Sequence, residues 1–226
     1  MRRSLSVLAL ASLLAACGGS DEPAATTEAP AVEATPEPTA EPPKGTDYAL
    51  ASGASELQWI GTKNETAEVP GTFTKLSGSL TLADGDLSTA KVTVTIGFNQ
   101  GIESGDAARD ANIWNVFFEA LDSAGPKGTV SLNSLEAENP KLAVGETTSG
   151  NAFLDVGAGL AMTGVAVPVT IAHPTEGSWT FTTKEPVVLS IDKLGMTERR
   201  EKLRQVCAHD SLSNAVKING TFAFGE

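Results

Sequence analysis

The chain has 226 residues and a formal net charge of −12 at pH 7, which argues against nucleic acid or an anionic membrane surface as a partner. Hydrophobic residues make up 41 %, enough for one sizeable core. The two cysteines, Cys17 and Cys207, fall in compositionally different parts, so the folded part has one thiol and no intramolecular disulfide.

Met1-Arg2-Arg3 is a basic start, and the apolar run from Leu5 to Ala16 is too short to span a bilayer. Residues 1–16 therefore read as an export signal. The run ends in Leu14-Ala15-Ala16-Cys17, which resembles the bacterial lipobox; that resemblance implies a lipidated Cys17 as the mature amino terminus. Several acyl chains there would hold the protein at a membrane without a spanning helix. Gly18, in place of an aspartate, resembles lipoproteins sorted to an outer membrane. The expected location is the cell envelope, lipid-anchored at the outer membrane and facing the periplasm. Residues 17–46 are rich in Ala, Thr, Pro and Glu with almost no large apolar side chain, a composition expected to be a disordered tether. Residues 47–226 are the expected folded domain.

That domain is dominated by period-two alternation. Val92, Val94, Ile96 and Phe98 share one face, with Thr93 and Thr95 on the other. The pattern returns at Leu57 and Trp59, at Leu76, Leu80 and Leu82, at Val130 and Leu132, at Leu142 and Val144, and at Val165, Val167, Val169 and Ile171. Val216, Ile218, Phe222 and Phe224 keep one parity across Asn219-Gly220, which predicts a single strand rather than a hairpin there. Turn signals stand at Asp84-Gly85-Asp86, Gly145–Gly150, Thr163-Gly164 and Pro174–Gly177. About eight half-buried antiparallel strands suit either a sandwich or a closed barrel, and alternation does not choose between them.

Two segments have helical spacing. In the first, expected over about 107–121, Ile113, Val116, Phe117, Ala120 and Leu121 form an apolar stripe that Trp114 and Phe118 widen. Asp106 is placed to cap its start, and Gly125-Pro126 lie past its end. Arg109-Asp110 in its first turn is either a solvated pair or a device in which Arg109 turns back and fixes the helix at a barrel rim. The second, about 198–208, is charged, with Leu203, Val206 and Cys207 on one face and Thr197 as its expected cap.

Side chains that carry chemistry are sparse. His173 and His209 are far apart in sequence, and Cys207 with His209 lacks further ligands at metal-site spacing, so neither a metal nor a cofactor is expected. No nucleophile elbow, phosphate loop or Cys–His–Asn set is present, which argues against an enzyme. Cys207 reads as a buried inert thiol or a reactive one. The aromatic residues are core or the wall of a channel.

Four stretches are similar to the YceI-like family. They are Trp59 with Gly71-Thr72-Phe73, Leu76 and Gly78; Ser104-Gly105 with Arg109-Asp110 and Phe117-Phe118-Glu119; Leu160 to Val169; and Ile191 to Met196 with the last strand. Asn112 stands where that family usually has histidine, Val116 replaces an aspartate, Ala161 a threonine and Val167 a lysine, and 198–211 resembles an insertion. The resemblance implies a mainly β, lipocalin-like antiparallel barrel holding an isoprenoid or quinone-like lipid, without catalysis. It implies a lipid-binding wall from Trp59, Phe73, Phe98, Trp114, Phe117, Phe118, Leu160, Met162 and Met196, with Arg109 and Asp110 positioning the helix. The alternative is a solid-core barrel serving as a structural or protein-interaction module at the envelope, with a protein partner or a second copy bound through its surface.

Overall fold

The computed structural model describes residues 45–118, 128–158 and 161–225. The expected export signal, Cys17 and nearly all of the tether lie outside the described residues, as do Ala120, Leu121, Gly125-Pro126 and Leu160. Twelve strand segments form one antiparallel sheet: β1 (Gly45–Leu50), β2 (Glu56–Lys63), β3 (Ala67–Phe73), β4 (Leu76–Ala83), β5 (Asp86–Ile96), β6 (Ile102–Glu103), β7 (Gly128–Ala137), β8 (Thr147–Gly157), β9 (Met162–Ala172), β10 (Ser178–Thr183), β11 (Val187–Ser190) and β12 (Ala215–Gly225).

The twelve segments are eight strands, four of them bent. β1 and β2 flank a short 3₁₀ turn, Ser52–Ala54, and lie along the same edge of β12. β3 and β4 follow them across the bend, pairing with β2 and β1 respectively. β6 continues β5 beside that partner, the break being bridged where Thr74 N–H donates to Gly101 O (2.9 Å) and Gly97 N–H to Lys75 O (2.8 Å). β10 and β11 share the other edge of β12. Pairing of Ala49 with Gly225 and Leu50 with Phe224 closes the barrel. Closure leaves no free edge along the ring, which is why many short alternating strands can stand as one domain.

Local chemistry sets the turns. Asp84 (φ 52°) and Gly85 (φ 67°) make the two-residue hairpin between β4 and β5, the positive-φ turn that Asp-Gly favours. β12 runs unbroken through Asn219-Gly220, as the constant parity predicts. Two expectations fail. Leu142 and Val144 are in a connection rather than a strand: Leu142 is buried as a plug while Val144 is 54 % exposed. Thr163-Gly164 is no turn but lies inside β9.

Helix α1 (Ala107–Asn112) begins where expected, with the Asp106 carboxylate accepting from the Ala108 and Arg109 N–H groups, each at 3.0 Å. It continues as a π-helical segment, Ile113–Phe118. The wider turn brings residues four and five apart onto one face, so Phe117 and Phe118 join Ile113 toward the barrel. Helix α2 (Thr197–Val206) starts one residue earlier than expected. Thr197 does not cap it; its hydroxyl donates to Asp192 (2.7 Å), and Met196 holds the cap position. No helix among the described residues is long and apolar enough to cross a membrane.

The interior divides into two clusters. One end is buried around Leu80, Leu82, Leu87, Ile171, Trp179 and Phe224. There the His173 ring stacks on Trp179 (4.2 Å, 5°) and its Nδ1 meets Leu142 O at 3.1 Å, so this histidine covers the closed end rather than standing in a solvated turn. The other end, around Leu57, Trp59, Phe98, Phe118 and Met196, is not filled.

Candidate functional site

That unfilled end encloses a cavity of about 260 Å³. A void of ~150 Å³ already holds a benzene-sized guest in an apolar core. Inward parity on β2, β5, β9, β11 and β12 supplies its aliphatic wall, including Leu57, Ile96, Val165, Val167, Leu189 and Ile218. On the helical side the wall is Ile113, Phe117 and Phe118.

An aromatic relay fastens that helical wall to the strands. Trp59 and Phe73 lie 6.4 Å apart, Phe73 and Phe98 5.7 Å edge-on, and Phe98 stacks on Phe118 at 3.8 Å. Phe117 meets Phe118 edge-on at 4.8 Å. Packing of this kind adds about 0.5–1.5 kcal/mol per aromatic pair beyond area burial. Trp59 owes its place to Gly71, its register partner on β3. A Cβ at Gly71 would lie 2.2 Å from Trp59 Cζ2, so the indole occupies the space that glycine leaves. The Trp59 indole N–H is buried there and has no hydrogen-bond partner among the described residues.

Polar groups fix the frame rather than point inward. The Ser104 hydroxyl donates to Asp110 and accepts from Arg109 Nε (2.7 Å), while Arg109 Nη2 donates to Ser104 O (2.5 Å). Arg109 thus turns back onto the segment after β6 and pins the first turn, and Asp110 completes the clasp through the Ser104 N–H (3.2 Å). Across the mouth, Arg199 Nη1 donates to Phe117 O at 3.2 Å, tying α2 to the π-helical segment. The loop after α2 is stitched to the β2–β3 hairpin by Asn64 N–H to Ser211 O (3.0 Å) and Asp210 N–H to Asn64 Oδ1 (2.9 Å). Burial, followed by the Lys63 charge, holds His209 below the usual histidine range.

Of the residues named from sequence, Trp59, Phe73, Phe98, Phe117, Phe118 and Met196 line this one cavity, and so does Arg109. Trp114 does not; it packs half-buried on the outside of the same aromatic cluster. Met162 must be withdrawn, because it is 60 % exposed. On β9 the odd residues Val165, Val167 and Val169 face inward, so an even position at the strand start faces solvent. Leu160 lies outside the described residues. The stripe expected on α2 also shifts: Leu203 and Cys207 line the cavity with Arg200, whereas Val206 is 54 % exposed. Cys207 is half-buried, its sulfur approached by Asn112 Nδ2 at 3.7 Å. Val165 and Val167 could have been found from their shared parity with the rest of β9. Lys63, Arg200 and His209 carry no local signal, since only the closed fold brings positions 63, 200 and 209 to one rim.

No curated protein matches the chain. A family model described as a YceI-like domain matches residues 48–224. Among solved structures, the chain is similar to a polyisoprenoid-binding domain from Saccharophagus degradans implicated in plant cell wall breakdown. The TM-score is 0.63 at 18 % identity, covering 79 % of this chain and 97 % of that one. It is also similar to BcnA from Burkholderia cenocepacia, with a TM-score of 0.55 at 16 % identity over 77 % of this chain and 98 % of that one. At these identities the likeness is one of fold.

Proposed function

The chain belongs to the YceI-like family, and from that membership together with its cavity we propose that the barrel binds the apolar chain of an isoprenoid or similar amphiphilic lipid. The observation that carries this reading is a cavity walled by aromatic and aliphatic side chains, with its polar residues set at the edge. A prenyl or acyl chain offers almost no hydrogen bonds, so its site calls for apolar area instead of convergent polar groups. Each buried CH₂ contributes roughly 0.8 kcal/mol, so even part of a chain would be held firmly. That the Saccharophagus domain of the same fold is a polyisoprenoid-binding one supports the choice. The role is carriage or sequestration rather than catalysis.

The protein acts, in this reading, at the cell envelope, held by lipid on Cys17 with residues 17–46 as its tether. Cys17→Ser is expected to move it from the membrane to the soluble fraction; retention in the membrane would defeat the anchoring part.

Organic extraction of the purified full chain followed by mass spectrometry tests the binding itself. A co-purified long-chain lipid is expected, and it should be lost from Val165→Phe, whose larger side chain fills the cavity from β9. Extraction of no lipid from the unaltered chain, or equal lipid from the filled variant, would overturn the reading.

A further inference from the structure

The walls of the cavity are not all held equally. The strands carry hydrogen-bonded ladders along their length, and Phe98 against Phe118 presses the π-helical segment onto them. Helix α2 and the loop after it complete the wall through Arg200, Leu203, Cys207, His209 and Leu212. Yet no residue of α2 is itself buried, so this helix covers the cavity without entering a core.

The two ends of this cover are seated. At its base Leu194 and Met196, 7 % and 1 % exposed, lie on either side of Gly195 (φ 71°), and Thr197 and Arg200 reach back to Asp192 at 2.7 and 3.7 Å. At its far end Glu65 N–H donates to Ser211 Oγ (3.1 Å) and Ser213 N–H to Thr62 O (2.9 Å), on the β2–β3 hairpin. Just past the helix the chain turns at Ala208, whose φ of 51° is the left-handed region that a residue with a Cβ enters at a cost.

Between the seats the hold is slight. Among the described residues, polar fastening of α2 to the opposite wall is the bond from Arg199 to Phe117 O and the weak contact of Asn112 Nδ2 with Cys207 Sγ. Parting two strands would break several ladder bonds, whereas lifting α2 breaks these two and the packing of Leu203. Few buried apolar contacts and a strained turn put the segment at the low-stability end of a fold, from which moving elements are drawn.

We infer that α2 and the loop after it form a strap that lifts to admit and release the apolar ligand, while the strands and the π-helical segment stay in place. The inference rests on the reading of the cavity as a lipid site and adds its route of entry.

Asn112 stands outside the cavity lining but touches Cys207, so Asn112→Cys offers a clasp between α1 and the end of α2. It is made in the full chain carrying Cys17→Ser, leaving Cys207 as its one partner thiol. Oxidation should close the clasp and reductant reopen it, as a count of free thiols reports; a short bismaleimide joins the same sulfurs if the disulfide does not form. Farnesol uptake by the delipidated protein is followed by stopped-flow tryptophan fluorescence, and release by dilution. With the clasp open, rates should match those of the Cys17→Ser chain. With it closed, uptake and release should both slow about tenfold or more, a barrier raised by about 1.4 kcal/mol. Affinity should stay within about twofold, because a gate changes rates and not the bound state. Arg199→Ala should act the other way, speeding both rates about two- to tenfold, the worth of one hydrogen bond. Closed-clasp rates equal to the open ones would overturn the strap and leave the lipid site standing. Slowing of the disulfide form that reductant does not reverse would also overturn it. Failure of farnesol to bind with the clasp open and in the Cys17→Ser chain would overturn both readings.

Discussion

Phe98 and Phe118 lie face to face, ring centroids 3.8 Å apart and planes within 14° of parallel. One ring follows β5 and the other ends the π-helical segment, so this contact presses the helical wall onto the barrel. Phe73 and Phe117 flank it edge-on. Phe118→Ala is therefore expected to cost about 3–5 kcal/mol, the range for deleting a buried Phe. Denaturant unfolding measures it, and a double-mutant cycle with Phe98→Ala should return a coupling of about 0.5–1.5 kcal/mol. Additivity of the two would mean that the rings stack without holding the wall.

Gly71 and Trp59 make a second prediction. The Cβ of Gly71→Ala would fall 2.2 Å from Cζ2 and 2.4 Å from Cε2 of the indole, contacts that no side chain tolerates. A rigid bicyclic ring cannot bend away, so either the strand pair separates or the indole swings into the cavity. Either costs about 1–3 kcal/mol, the usual penalty of overpacking. Lipid extracted from the variant should fall in parallel. At Gly61 the nearest Trp59 atom is 3.7 Å away, an ordinary contact, so Gly61→Ala should be far milder in the same melts.

Much of the barrel was legible because β-strands alternate with a period of two, and a half-buried wall writes that period into residues such as Val92, Val94 and Ile96. That Trp59, Phe73, Phe117 and Phe118 line the cavity was legible from the family stretches, and that Phe98 does was legible from its shared parity with Val94 and Ile96. The bends were not. Where β1 meets β2, or β10 meets β11, the chain bends yet stays on one edge of β12, so no change of partner marks the break. Met162 went wrong because Gly164 and Ala166, small outward residues, give its face no polar mark. The π-helical turn was hidden as well, since it shifts which aromatic faces inward by one residue and leaves the composition of the segment unaltered. The cationic rim is a product of closure alone, because Lys63 ends β2 while Arg200 lies on α2.

The clasp at the start of α1 gives a third expectation. Ser104 both donates to Asp110 and accepts from Arg109, so one hydroxyl joins two charged groups that neighbouring positions on a helix would not bring together. Ser104→Ala removes both bonds and leaves part-buried charges less well satisfied, at a cost of about 1–3 kcal/mol. The local signature is more telling than the global one: amides of residues 107–112 should exchange faster, while those of β8 and β9 do not. Unchanged protection of α1 would show that its cap at Asp106 suffices.

The last prediction concerns pH and the far end of α2. Arg204 grips the Glu201 carboxylate with Nε (3.0 and 2.9 Å) and Nη2 (2.6 Å), Gln205 Nε2 adds a bond at 3.0 Å, and Arg204 Nη1 reaches His209 O at 2.9 Å. Hydrogen bonds from Arg204 and then Gln205, with smaller help from the charges of Arg204 and Arg200, hold the Glu201 carboxyl at about 2, below the 4.5 of a free side chain. A depressed carboxyl stabilises the fold fully above its unfolded value and loses that contribution as pH falls through the folded one. The window is therefore from about 4.5 down to about 2. The pair is solvent-exposed, so the effect belongs to the helix end and loop more than to global stability. Amide protection over residues 204–211 should decline across this window in the unaltered chain. Glu201→Gln should start lower and stay flat, the two meeting near the acid end. Parallel declines in both proteins would assign the acid response to other carboxylates.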